Sequence, residues 1–201
     1  MSKITVSLEA LKKHRSIDGA SSLGLRSEHS GLLSQAPSED GVKPLPAFRV
    51  AVRDDVPMIF KFIKELAKYE EMLSDVTATS KLLEYWLFDK QAAEVLFAIT
   101  DGKEVGFALY FTNFSTFLGK AGLYLEDLFV LPEYRGYGIG KALLTELAHI
   151  AVGRGYGRME WACLDWNEPS IDFFRSIGAV DMCDWTTYRL TGDALSNLAG
   201  L

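Results

Sequence analysis

Cysteine, histidine, positive charge and long apolar runs are all scarce in this chain of 201 residues. Its two cysteines, Cys163 and Cys183, form neither a metal-binding spacing nor a disulfide framework. A reducing, cytoplasmic setting without a structural metal is therefore expected. Of the three histidines, His14 and His29 fall in a polar N-terminal stretch and His149 falls within a predicted helix, so no histidine catalyst is expected. No apolar run approaches the length that crosses a bilayer, which argues against a membrane partner. Lys and Arg number 21 against 27 Asp and Glu, for a net charge of −6. That sign opposes a nucleic-acid backbone as partner and suits a small cationic substrate. Aromatic residues are missing before Phe48, and Pro44 and Pro46 close a segment rich in Ser, Gly and mixed charge. Residues 1–46 are therefore expected to be a disordered, solvated tail, with Ile4–Leu11 as its one stretch compatible with a strand or short helix. Lys3, Lys12, Lys13 and Arg15 give it a trace of presequence character, which Glu9, Asp18 and Glu28 oppose.

From residue 47 onward the composition supports a substantial core, the whole chain being 48% hydrophobic and 12% aromatic. Phe48–Val52 reads as a strand. Asp54 or Asp55 then caps a helix with Pro57 in its first turn and Ile59, Phe60, Ile63, Leu66 and Ala67 on its buried face, ending near Tyr69, Glu70 and Glu71. A second helix runs from Thr79 or Ser80 to Trp86. Glu94–Thr100 and Glu104–Phe111 are strands joined at Asp101-Gly102. Asn113–Gly122 reads as a loop, Leu123–Val130 as a strand, and the residues from Ile139 through Leu143, Leu147, Ile150 and Ala151 as a helix. Arg158–Cys163 is a further strand, and Asn167 caps a short helix through Phe173 and Phe174 that stops at Gly178. Asp184–Leu190 is expected to be the last strand. This order gives an α/β fold with one mixed sheet flanked by helices.

The segment Arg135-Gly136-Tyr137-Gly138-Ile139-Gly140-Lys141 lies between a strand and a helix. Its glycines permit unusual dihedrals and close approach of a ligand, and unpaired N–H groups at a helix start favour a phosphate. It is neither a P-loop nor a GxGxxG dinucleotide fingerprint. Two readings remain, a pyrophosphate-binding loop and an ordinary glycine-rich turn.

The Arg-x-x-Gly-x-Gly pattern between strand and helix resembles the acetyl-CoA loop of the GCN5-related N-acetyltransferases. Three further stretches resemble the members of that family that acetylate diamines, polyamines, thialysine or ornithine. They are Ile63–Glu70, then Tyr124-Leu125-Glu126-Asp127, and finally Trp166-Asn167-Glu168-Pro169-Ser170. The resemblance runs from Val50 to Leu190 and implies a mixed, mostly antiparallel sheet, splayed at the acetyl-CoA site, in a domain spanning residues 47–201. It further implies acetyl-CoA as cosubstrate, held by Arg135, Gly136, Tyr137, Gly138, Ile139, Gly140 and Lys141 at the pyrophosphate. Leu128, Phe129 and Val130 would line one side of the pantetheine arm, Asn167, Ser170 and Phe174 the other. Tyr69, Glu70, Glu126, Glu160 and Trp161 would face the amine, and a homodimer is the implied assembly.

The chemistry agrees with these roles. An aliphatic amine has a pKa of about 10.4 and arrives protonated, so a carboxylate must bind it and one proton must leave before attack. Glu126 is the expected acceptor, through water; its alternative is a structural carboxylate capping backbone amides. Asp127 is expected on the opposite face of the strand. Glu70 and Glu71 have the alternative of a solvated helix end. The Leu128 amide is suited to an oxyanion. One departure stands out: relatives carry a tyrosine as general acid in the helix after Asn-Glu-Pro-Ser, and here that position is Phe174. The consequence is either an enzyme whose thiolate leaves without that acid or a coenzyme-binding protein with little turnover. Polyamines and diamines are the expected substrates, and ornithine or thialysine the alternative; an amino acid would need Lys120 or Arg189 for its carboxylate. Transfer is by direct attack, with Cys163 as a buried strand residue.

Overall fold

The structure, a computed structural model, describes residues 45–201. The expected tail, with Ile4–Leu11, His14 and His29, lies outside the described residues except for Leu45 and Pro46. Five strands form one sheet in the order β1 (Ala47–Val50), β2 (Glu94–Thr100), β3 (Lys103–Ser115), β4 (Lys120–Val130) and β5 (Met159–Trp161). The first four are antiparallel neighbours and β5 joins β4 in parallel, which is the mixed sheet expected.

Helices cover both faces because both faces are apolar. Helix α1 (Val56–Tyr69) lays Ile59 and Phe62 on Phe97, Phe107 and Phe129, with the Phe62 and Phe107 rings stacked at 5.1 Å. Phe62 thus takes the buried place expected of Phe60, whose ring instead receives the Lys64 ammonium at 3.9 Å from its centroid. Ile59, Ile63, Leu66 and Ala67 face inward as expected, and Phe62 rather than Phe60 completes that face. Asp55 stands at the N-cap of α1 without a side-chain capping bond; its carboxylate takes the Val52 amide at 2.7 Å and the Arg49 guanidinium at 2.6 Å. On the other face, α3 (Ile139–Gly153) buries Ile139, Leu143 and Leu147 against Leu96, Val105, Tyr110, Leu123 and Leu125. Helix α2 (Ser80–Glu84), capped by Thr79 Oγ1 accepting from Leu82 N at 3.2 Å, continues into a π turn at Tyr85–Asp89.

Three strand and loop expectations change. The loop expected at Asn113–Gly122 is mostly sheet, because Asn113 pairs with Gly122 and Ser115 with Lys120, leaving residues 116–119 as the turn. Gly122 makes this possible: a Cβ there would stand 2.5 Å from Asn113 Oδ1. Strand β5 keeps only three of the six residues expected, and residues 184–190 form no strand. Trp185 and Tyr188 of that segment are exposed, and no strand of the sheet pairs with it to satisfy its backbone. Two further α-helices follow β5, α4 (Glu168–Ser176) and α5 (Gly192–Ala199).

One irregularity positions the site. Between β3 and β4 the register shifts so that Tyr110 faces Leu125, Leu109 faces Asp127, and Glu126 is the extra residue of a β-bulge. Alternation along β4 therefore changes phase at Glu126. Leu123 and Leu125 face α3 before it, and Leu128 and Val130 do so after it, while Phe129 packs on the α1 side. Asp127 has the phase of Phe129, and Glu126 that of Tyr124, so both carboxylates emerge on the α1 side. The expected separation of Glu126 and Asp127 onto opposite faces does not occur, because a bulge breaks the period of two.

Candidate functional site

Beyond the bulge, β4 loses its neighbour. Pairing with β5 covers only Leu123–Met159, Tyr124–Glu160 and Leu125–Trp161. The edge of β4 from Glu126 to Val130 is left open, and a cleft of about 930 Å³ occupies the gap. One wall is Leu125 to Val130; the other is Trp161 to Leu164 with Asn167, Ser170, Phe173 and Phe174. The Leu131 amide donates to Val105 O at 2.9 Å, toward β3. Alternation then turns the Leu128 and Val130 backbone groups into the cleft, and Val130 O accordingly accepts from Arg135 Nε at 2.9 Å.

At one end the cleft is bounded by Gly136, Gly138, Ile139, Gly140 and Lys141, where α3 begins. Gly136 and Gly138 have φ of 81° and 79°, the left-handed region, and a Cβ on either would meet no atom within 4 Å. That end is a backbone cradle facing open space at a helix N-terminus with Gly138 as N-cap, and it fits a pyrophosphate on its amides. Arg135 does not reach into it: its guanidinium lies 4.6 Å from the Tyr69 ring centroid and 5.1 Å from that of Phe129. Tyr137 is half exposed and does not line the cleft.

At the other end α1 delivers Tyr69 and Glu70 beside Glu126 and Asp127. Tyr69 OH donates to Asn167 Oδ1 at 3.2 Å, so the end of α1 is tied across the cleft to the start of α4. The buried Asn167 side chain therefore makes this bridge instead of capping α4. Burial raises the Glu70 carboxyl above its usual range. Burial first, then the charges of Glu126 and Glu70, push Asp127 up to about 7. Burial, with Glu70 and Asp165, raises the Cys163 thiol, which lines the cleft as a neutral group. Among the described residues no group of His, Cys, Asp and Glu has a geometry that could hold a metal ion.

Most residues expected at the site are brought together here. Leu128, Phe129, Val130, Arg135, Gly136, Gly138, Ile139, Gly140, Lys141, Asn167, Ser170 and Phe174 line the cleft with Tyr69, Glu70, Glu126 and Trp161. Glu160 does not: its carboxylate is taken by Asn113 Nδ2 at 2.8 Å and Arg158 at 2.9 Å. Phe174 packs its ring on Trp161 at 5.2 Å and Phe173 at 5.5 Å, an apolar wall with no proton to give. Asp127 is the residue that strand periodicity set aside, and only knowledge of the bulge recovers it.

The profile of the acetyltransferase (GNAT) family matches residues 60–179. The chain belongs to this family. It is similar to the thialysine N-ε-acetyltransferase of Bos taurus, 34% identical over 164 residues, covering 76% of this chain and 96% of that protein. It is also similar to the L-ornithine N5-acetyltransferase of Arabidopsis thaliana, 32% identical over 204 residues, covering 79% and 90% of the two chains. Among solved structures, an integron cassette protein of V. cholerae aligns with a TM-score of 0.64 and 29% identity over 76% of this chain and 96% of that one. The protein is accordingly an acetyl-CoA-dependent N-acetyltransferase, and the splayed cleft is the feature its fold shares with that chemistry.

Proposed function

We propose that this enzyme acetylates a primary amine of a small polyamine or diamine by direct attack on the thioester of acetyl-CoA. The observation that carries the reading is the convergence of Glu70, Glu126 and Asp127 at one end of the cleft. Three carboxylates there, with Arg135 turned onto aromatic rings, suit a ligand of more than one positive charge. The Gly136–Lys141 amides take the pyrophosphate, and Leu128 and Val130 contact the pantetheine opposite Asn167 and Ser170. The bound ammonium gives one proton to a carboxylate, with Glu126 the acceptor expected from sequence, and the freed nitrogen attacks the carbonyl carbon. The Leu128 amide stabilises the oxyanion. The C–S bond then breaks, and the thiolate, with a pKa on the order of 8.5, leaves without a tyrosine at position 174.

A second reading, transfer to the side-chain amine of ornithine or thialysine, is favoured by the names of the two relatives. Arg189, whose charge is felt at the Tyr124 hydroxyl, is the cation that would meet the amino-acid carboxylate. We also assign a homodimer, supported by the exposed apolar residues Val180, Met182, Trp185 and Tyr188 after α4, and a cytoplasmic setting, supported by a sequence with only two cysteines. Release of free thiol from acetyl-CoA with putrescine, spermidine, ornithine and thialysine tests the substrate class. Turnover fastest with putrescine or spermidine is expected. Preference for ornithine and thialysine, lost on Arg189→Ala, would replace the first reading with the second.

A further inference from the structure

Glu126 and Asp127 are adjacent, yet the bulge gives them different surroundings. Glu126 is exposed, whereas Asp127 is partly buried beneath the end of α1. Asp127 makes no hydrogen bond or ion pair among the described residues, although it lies within the electrostatic reach of two other carboxylates. The groups that act on it are Glu70 at the end of α1 and Glu126 on its own strand, with the apolar Leu109 opposite it across the β3–β4 ladder, while Cys163 lines the other wall of the same cleft. No cation stands among those groups. Its side chain is short and sits on a paired strand, so its position is fixed more closely than that of a glutamate with one more rotatable bond. It also directly precedes Leu128, whose amide faces the cleft at the place suited to the oxyanion.

Resting on the reading above, we propose that Asp127, rather than Glu126, is the catalytic residue that takes the proton from the bound ammonium. A base works best when its pKa lies near the working pH, and the half-buried Asp127 carboxylate among like charges meets that condition. The incoming cation restores the ionised form of Asp127. The N–H bond of the ammonium then breaks, its proton passes to the Asp127 carboxylate, and the nitrogen lone pair forms the C–N bond. The oxyanion collapses, the C–S bond breaks, and the second proton on nitrogen goes to the thiolate. Asp127 finally returns its proton to water. One ammonium and one thioester become one amide, one thiol and one proton, with no other reactant. Glu126 and Glu70 hold the cation and keep Asp127 basic.

The test is the pH profile of kcat/KM for the best amine of the panel, in the wild type, Asp127→Asn, Asp127→Glu and Glu126→Gln. The wild type should rise through an acid limb near the raised value of about 7 and then level off. Asp127→Asn should lose that limb and about 10²-fold or more in kcat, with acetyl-CoA affinity in equilibrium dialysis unchanged. Asp127→Glu should recover at least ~10-fold with a limb restored, and Glu126→Gln should keep the limb but move it to lower pH, since a like charge is gone. If Asp127→Asn is too unfolded to bind coenzyme, the shift in Glu126→Gln decides. Loss of the limb in Glu126→Gln, or its survival in Asp127→Asn at a rate within ~3-fold of wild type, overturns the assignment while leaving amine acetylation intact. A wild type that binds acetyl-CoA and acetylates no amine overturns both.

Discussion

Replacing Asp127 by asparagine should stabilise the fold, and by an amount that depends on pH. Burial and the charges of Glu126 and Glu70 raise the carboxyl from 3.8 to about 7 in the folded chain. The folded state therefore holds this proton more tightly than the unfolded state, and stability falls as pH rises through the interval from about 4 to about 7. Below that interval both states are protonated and Asp127 adds no penalty. Above it the full penalty applies. A shift of about three units corresponds to a ceiling of about 4 kcal/mol at 1.36 kcal/mol per unit. The cleft is open to water, which screens the repulsion, so about 1–2 kcal/mol is the expected effect. Asparagine has nearly the same shape, carries no charge and breaks no hydrogen bond at this position. Urea unfolding of wild type and variant at steps from pH 4 to pH 8 reads the difference directly, because all other titrating groups largely cancel. The curves should coincide near pH 4 and separate by pH 8 with the variant more stable, equivalent to a melting temperature higher by about 2–8 °C for a domain of this size. A variant less stable than wild type at pH 8, or a difference that ignores pH, would refute the reasoning.

Two other substitutions test the cleft from its two ends. Phe174→Tyr places a phenol on the wall beside Trp161 and should raise kcat toward a diamine, by up to about 10²-fold if proton delivery to the thiolate limits the rate; steady-state kinetics with unchanged or lower kcat would show that this proton is not limiting. Gly138→Ala forces a residue with a Cβ into φ of 79°, at a cost of about 1–2 kcal/mol, and should raise KM for acetyl-CoA about tenfold while leaving KM for the amine nearly unchanged. Gly138→Asn, which tolerates the left-handed region, should lose less, and an unaltered KM in the alanine variant would contradict a role for this backbone shape.

Much of this site was legible from residue types alone. A strand, a glycine-rich bend and a helix in succession imply a cradle of amides, and Gly136 and Gly138 do adopt the dihedrals for which glycine is suited. Apolar periodicity located α1 and α3, because each buries one stripe on a sheet. What escaped depends on pairing. Glu126 is the extra residue of a bulge only by virtue of the register with Leu109 and Tyr110 across the hairpin, which no local pattern reports. Glu160 reads as available to a substrate, but Asn113 of β3 and Arg158, just before β5, take its carboxylate. The stretch at residues 184–190 has the composition of a strand, yet composition cannot supply the neighbour that a strand requires. Asn113–Gly122 read as a loop for the converse reason: its small and polar residues are tolerated in a hairpin because Gly122 leaves room for Asn113.

Equilibrium dialysis of the full chain against labelled acetyl-CoA tests the central claim most directly, since every role assigned to the cleft presumes a coenzyme seated on the amides that follow Val130. Saturable uptake of one equivalent per chain, weakened in Gly138→Ala, is the predicted result. No retention of acetyl-CoA at any concentration tried, with the chain folded by circular dichroism, would contradict the account.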